Sequence, residues 1–433
     1  MSHYSDLCFA GYSVWSMRNI ADPFIMELFT KEERRVYTKI EDDEERPVFE
    51  YQSNVEKFIQ RLEILGYALN KAKKSFQEGI EKLHEEMELS DSECEIFSKF
   101  DYETWKECMR IIIAHNLSEW DIEKRLPKLN ISAQLQPYIL FILGKFVFEE
   151  SGNTPEYYFT GSFQLGFSIF RDQHHDRSYT PCAEIYDIFR AVLDVCDLSE
   201  NVNFDYSSFI DWGTYDEEED ITEEPPSKII ILTEGSTDKE FLERTLNVLY
   251  PELSKYYYFL EFHSSNLKGG ASALVHLVKG FVGAGIFNRT IAILDSDTAA
   301  RDALRSLRDV SLPDTIRIIT LPHLRLAENY PTIGPQGNIN VDINGLACSI
   351  EIYFGVDVLS NIQGKLAPIQ WKGYNAALQQ YNGEIITKRE IQEKYRSLLD
   401  KVEMGQIGID ECDWSGMKEI FQSIFSAFKI STE

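Results

Sequence analysis

Between residues 228 and 321, short apolar runs alternate with amphipathic stretches, and this alternation constrains the fold more than any other feature of the chain. The runs at 228–233, 256–262, 290–294 and 315–321 have strand length and composition. The intervening segments 238–250, 271–282 and 299–308 repeat apolar residues at helical spacing. Strand–helix repeats of this length predict a parallel sheet flanked by helices with right-handed crossovers. Ligands of such a sheet sit beyond the carboxyl ends of its strands. Glu234 follows the first strand, Asp238 comes four residues later, and Asp295-Ser-Asp297 follows the third strand. Side chains alternate along an extended chain, so Asp295 and Asp297 share a direction. Carboxylates gathered there repel one another, and hard oxygen donors without Cys or His suit Mg²⁺ or Mn²⁺. Such an ion neutralises phosphate charge and stabilises attacking and leaving oxygens. The competing account of an Asp at a strand end is a helix cap.

Upstream the pattern is mainly helical. Apolar residues recur at three- and four-residue spacing over 55–76, and further helices are expected at 105–113 and 185–196. The opening segment, 9–29, is less regular and fits a small hairpin or cap. Residues 211–227 carry the run Asp216-Glu-Glu-Glu-Asp220, then Glu223, Glu224, Pro225 and Pro226, and read as a solvated acidic linker. The expected organisation is a helical region 1–210, the linker 211–227, an α/β domain 228–330, and an extension with a helical tail 331–433. Tail helices are expected at 385–399 and 417–428.

The net charge of −28, from 43 basic and 71 acidic residues, argues against coating nucleic acid through bulk electrostatics. It leaves room for a local site that meets phosphate through metal, and for a basic protein partner. Seven scattered cysteines without a C-x-x-C pair suggest a reduced cytoplasmic protein lacking structural zinc. No apolar run is long enough to span a membrane, and residues 1–9 lack a secretory pattern. No phosphate-binding G-x-x-x-x-G-K-[ST] motif is present, so no ATP motor is built in.

The segments Ile-Ile-Leu-Thr-Glu234-Gly-Ser-Thr-Asp238 and Ile-Ala-Ile-Leu-Asp295-Ser-Asp297-Thr together resemble the Toprim domain of topoisomerases, primases, recombination mediators and overcoming-lysogenization-defect nucleases. The resemblance implies a Toprim α/β fold over 228–330. It also implies a metal or acid–base role for Glu234 and metal ligation by Asp295 and Asp297. The later run Asp342-Ile-Asn-Gly-Leu-Ala-Cys-Ser-Ile-Glu351 resembles the acidic segment of Toprim nucleases and makes Glu351 a further ligand candidate; the alternative is a solvent-facing Glu on an amphipathic helix. Lys268, beside Gly269-Gly270, and the stripe Arg301, Arg305, Arg308 are phosphate-contact candidates, with ion pairing to Asp302 and Asp309 as the plainer account of the arginines.

The N-terminal half carries a resemblance of its own. Gly11-Tyr-Ser-Val-Trp-Ser-Met-Arg-Asn19-Ile-Ala-Asp22, Glu27-Leu-Phe29 and Arg61-Leu-Glu-Ile-Leu-Gly66-Tyr67 resemble HEPN/Toprim-associated bacterial proteins, a family tied to conflict with phage and other mobile elements. HEPN ribonucleases use an R-x4–6-H motif, whose spacing Arg110 and His115 match, but Ile111 replaces the usual polar follower. The run from Arg171 to His175 has the polar follower and too short a spacing. The resulting expectation is a metal-dependent nuclease cutting DNA or RNA in antiphage defence. Its alternatives are a HEPN-type ribonuclease with a nucleic-acid-binding Toprim half, or a non-catalytic sensor or assembly subunit. Expected partners are the nucleic-acid substrate, a defence-system ATPase or other defence protein, and a second copy of the chain.

Overall fold

The computed structural model describes residues 3–41, 44–86, 90–118, 120–143, 145–146, 185–261, 269–286 and 288–428. The chain divides into two compact units, Met1–Glu224 and Pro225–Phe428.

The first unit is richer in sheet than its sequence suggests. Strands β1 (Tyr4–Phe9), β2 (Tyr12–Arg18), β3 (Arg34–Glu41), β4 (Glu44–Asn54) and β5 (Asn201–Asp205) form an antiparallel sheet in the order β2-β1-β5-β4-β3. The expected hairpin is its edge, turning at Ala10 and Gly11, both with positive φ. Its central strand β5 arrives from about 190 residues downstream of β1, a pairing invisible to local periodicity. Helices Val55–Leu65 and Ile185–Leu193 pack on the sheet and Tyr102–Ala114 packs on the helix Leu69–Glu86, with Phe9, Phe29, Phe58, Trp105 and Phe189 fully buried in this core. Each such side chain contributes roughly 1.5–3 kcal/mol by leaving water.

The residues behind the N-terminal resemblance hold this unit together. Asp22 caps the helix Pro23–Met26, and Asn19 accepts the His3 N–H through its side chain. Gly66 ends the helix Val55–Leu65 at φ 98°, where a side chain would be strained. Arg61 is fully buried and donates to both carboxylate oxygens of Glu33 (2.8 and 2.9 Å) and to the Leu28 carbonyl (2.6 Å). The acidic stretch before the second unit is not a free spacer. Ile221 is buried, Tyr51 donates to Asp220 (3.0 Å) while accepting the Ile221 N–H, and Tyr215 accepts from the Ala21 N–H. Apolar and aromatic residues within the charged run anchor it to the unit that precedes it.

In the second unit, strands β6 (Ile229–Leu232), β7 (Tyr257–Phe259), β8 (Thr290–Leu294) and, later in the chain, β10 (Ile316–Thr320) build a wholly parallel sheet in the order β10-β8-β6-β7. Every residue of β8 is buried, which explains its unbroken apolar run. Between β8 and β10 lie the two-residue strand β9 (Ser296–Asp297) and the helix Thr298–Leu304. That helix is shorter than expected, tightening at Arg305–Leu307 into a 3₁₀ turn.

The extension expected over 331–433 carries a second sheet, and its long tail helices begin only at Lys388, a correction to the earlier return to helix that the sequence suggests. Strands β11 (Tyr330–Gly334), β12 (Gly337–Val341), β14 (Ile369–Asn375) and β15 (Gln380–Ile385) form a second four-stranded sheet, and β13 (Ala347–Cys348) pairs with β9. These strands are short, polar on their exposed faces and interrupted by glycine, so no apolar run marks them. Tail helices follow at Lys388–Glu403 and Ser415–Ser426. Among the described residues no helix is long and apolar enough to cross a membrane.

Candidate functional site

β6 and β8 are neighbours, yet the chain leaves β6 toward β7 on one side and leaves β8 toward β10 on the other. Their carboxyl ends therefore flank the switch point of the sheet, where connecting helices part and a crevice opens. Glu234 and Asp295 stand there, one on each side. The Asp295 backbone N–H donates to Glu234 Oε1 at 2.9 Å, tying the two strand ends together. Gly269 and Gly270, just before the helix Ala271–Ala284, lie against Glu234. Gly270 donates its N–H to the Glu234 carbonyl (2.9 Å), and a Cβ on Gly269 would stand 2.8 Å from that same oxygen. Only glycine permits that approach.

Asp238 lies in the first turn of the helix Ser236–Leu249, its carboxylate accepting the Gly235 N–H. Asp297 has two roles. Oδ1 caps the helix Thr298–Leu304 by accepting the Ala300 N–H at 2.7 Å, and the residue pairs with Ala347 in the β9–β13 ladder. That ladder brings the 345–351 segment to the site: Ser296 Oγ accepts from the Gly345 N–H (3.2 Å), and Leu346 O accepts from the Thr298 N–H (3.2 Å). Glu351 follows in a 3₁₀ turn, Ile350–Tyr353, and is fully buried rather than solvent-facing.

Sequence reasoning missed Lys388. It opens the helix Lys388–Glu403, and its Nζ stands 3.2 Å from Glu351 Oε1. One turn on, Gln392 donates to the same oxygen at 2.7 Å, while Ser349 donates to Oε2 at 2.6 Å. The helix is fixed against Ser236–Leu249 by a two-point Arg396–Glu240 pair, by Arg244 bonded to Asp400 and Glu403, and by Phe241 edge-on to Tyr395 at 5.3 Å. Nothing local marks Lys388.

The electrostatics follow from this crowding. Desolvation by burial, together with Asp297 and Asp238, raises Glu234 to about 7 against the lowering effect of the Asp295 and Ala271 N–H groups. Burial and Glu351 raise Asp238 to about 6, with Lys388 opposing. Asp295 is pushed well up by burial and by the charges of Asp238, Glu234, Asp297 and Glu351. Burial also raises Asp297. Burial disfavours the Lys388 ammonium, but Glu351 and Asp295 outweigh it and shift its pKa upward. The cluster holds an excess of negative charge that one lysine does not balance. Among the described residues, no three Asp, Glu, His or Cys side chains already form a set that could hold a metal ion.

The remaining candidates are dispersed. Arg301 is exposed and donates to the Gln380 side chain (3.0 Å) and the Gly345 carbonyl (3.4 Å). Arg305 pairs with Asp302 at 3.3 Å, the plainer of its two readings. Arg110 and His115 are both exposed and separated by five positions of the helix Tyr102–Ala114 and its C-cap, where Arg125 bonds the His115 carbonyl. Lys268 and residues 171–175 lie outside the described residues.

No curated protein and no solved structure matches the chain significantly. The family model for HEPN/Toprim N-terminal domain 1 matches residues 1–228, more than half of the 433-residue chain, and the chain belongs to that family.

Proposed function

We propose that the second unit is a Toprim-type, metal-dependent nuclease that cuts nucleic-acid phosphodiesters, and that the chain acts in defence against phage. The carrying observation is the convergence of Glu234, Asp238, Asp295, Asp297 and Glu351 at the switch point of a parallel sheet, with the Lys388 ammonium beside them. The name of the family to which the chain belongs supports a nuclease-like role for the partner domain. The donor chemistry fits a hard divalent cation: oxygen ligands only, mutually repelling, with raised pKa values that a cation would relieve. The ligand candidates for Mg²⁺ or Mn²⁺ are Glu234, Asp238, Asp295, Asp297 and Glu351. The bound ion would offset phosphate charge and lower the pKa of water.

The chain's own groups contribute the rest. Lys388 supplies a fixed positive charge toward a developing phosphorane oxygen, held in place by Glu351, whose carboxylate Gln392 also binds. The helices Ser236–Leu249 and Ala271–Ala284 begin at the site, and their N-termini favour an anion there. The test is incubation of the full chain with tRNA, single-stranded DNA and duplex DNA in Mg²⁺, Mn²⁺ or EDTA. Cleavage confined to the divalent ions and lost in Asp295→Asn is expected. Cleavage that persists in EDTA and disappears in His115→Ala would transfer the activity to the first unit.

A further inference from the structure

Beside the acidic cluster, the second sheet of this unit holds a cavity of about 370 Å³ that the nuclease chemistry does not use. Its size falls within the ~300–1,000 Å³ range of small-molecule sites. Trp371 and Tyr381 form aromatic walls, Ile339 and Leu346 add apolar surface, and Asp342 and Gln380 bring polar atoms to it. The ring of Trp371 lies where a Cβ of residue 334 or 383 would stand, at 2.7 and 3.0 Å, so two glycines let it lie flat against the hairpins. Tyr381 is 44% exposed, and Tyr374 continues the aromatic surface at 5.0 Å.

Residues just after the acidic cluster join it to the cavity. Thr298, directly after Asp297, donates its hydroxyl to the carbonyls of two wall residues, Leu346 (3.2 Å) and Tyr381 (3.0 Å). Arg301, one turn farther, bonds the wall residue Gln380 and stays exposed. The order is thus carboxylates, an exposed guanidinium, then an aromatic cleft with hydrogen-bonding groups. A single-stranded nucleotide presents the matching order of phosphodiester, flanking phosphate and planar base.

We propose that this cavity receives one unstacked nucleobase next to the scissile phosphate, stacked against Tyr381 and Trp371, with Arg301 contacting the adjoining phosphate. This proposal rests on the nuclease reading of the same unit. Aromatic stacking tolerates any base and contributes ~1–3 kcal/mol per base, and a duplex keeps its bases from such a cleft unless it is opened.

The test measures binding of the full chain in EDTA, so that no catalysis is needed. The probes are fluorescent single-stranded 12-mers of DNA and of RNA, the same strands with one abasic site moved along them, and a blunt DNA duplex. Wild type should bind one abasic register about ten-fold more weakly than the intact strand. Tyr381→Ser, and independently Ile339→Trp, which fills the cavity from an exposed strand, should each bind the intact strand about ten-fold more weakly. Both should also lose the abasic discrimination while keeping the wild-type melting temperature of the unit. The DNA and RNA arms show which sugar the cleft prefers. Binding within two-fold of wild type in both variants would overturn the proposal, as would an equal loss on the blunt duplex. Pocket-dependent binding without cleavage in any metal would uphold the cleft and sink the nuclease reading. Asp295-dependent cleavage with no abasic effect would do the reverse.

Discussion

Replacing Glu234 with Gln should stabilise the metal-free protein at alkaline pH while abolishing its chemistry. In the folded protein Glu234 titrates at about 7, against 4.5 for an ordinary glutamate. A carboxyl raised on folding contributes stability that is complete below about pH 4.5 and is lost as pH climbs through about 7. At pH 8 the wild type carries the whole penalty, on the order of 3 kcal/mol at ~1.36 kcal/mol per pKa unit. Gln does not titrate and keeps an oxygen able to accept the Asp295 N–H, though the weaker neutral bond costs about 1 kcal/mol. The net gain is about 2 kcal/mol, or roughly 4–8 °C in melting temperature for a unit of this size. Calorimetry in EDTA at pH 4.5 and pH 8 measures it. Glu234→Gln should melt higher than wild type at pH 8 and no higher at pH 4.5. Adding Mg²⁺ should reverse the order at pH 8, because the ion relieves the wild-type repulsion and finds one ligand fewer in the variant. Equal melting temperatures in EDTA at pH 8 would refute the reasoning, since Glu234 would then carry no charge penalty on folding.

Lys388→Met removes the cation beside the fully buried Glu351 and should lower cleavage about 100-fold or more while destabilising the second unit by about 1–3 kcal/mol; adding Glu351→Gln should restore the melting temperature but not the activity. Arg61→Met leaves Glu33 and the Leu28 carbonyl without their buried donor and should cost the first unit about 3–5 kcal/mol, seen as an early calorimetric transition. In cells, Asp295→Asn should abolish phage restriction at unchanged protein level. Arg305→Ala, whose side chain already pairs with Asp302, and His115→Ala should each change it only a few-fold, as plaque counts would show.

The parallel sheet of the second unit was legible in the sequence because its strands are buried on both faces and its helices repeat at 3.6 residues. Thr290–Leu294 has the bounds its apolar run suggests. The acids at 234 and 295 were legible for the same reason, since each follows directly on such a strand. What escaped is set by pairing across long separations. β5 enters the first sheet only by matching β1 and β4, and its alternating Asn-Val-Asn-Phe-Asp is too short to stand out. β11 and β14 are joined across a 34-residue gap, and β14 shifts register between Trp371 and Tyr374. The same limit hid Lys388, whose relation to Glu351 depends on how a tail helix docks against Ser236–Leu249.

Three ion pairs of the first unit contrast with the carboxylate cluster of the second. In the first, Arg61 meets Glu33 at 2.8 Å, Arg190 meets Glu63 at 3.2 Å, and Lys106 meets Asp194 at 2.5 Å. Each of these anions has its own cation, as stability requires when charge leaves water. In the second, the carboxylates at the strand ends share Lys388, and Glu234, Asp238, Asp295 and Asp297 are all raised by burial. A fold selected for stability alone would replace one of these acids with an amide, as the Glu234→Gln experiment does. Retaining them costs the metal-free protein stability, a cost that a cation bound there, as proposed, would offset. Perturbed acids at a sheet switch point are therefore the expected signature of a site built around an ion. Of the residues that carry the N-terminal resemblance, Arg61 is one of these paired charges.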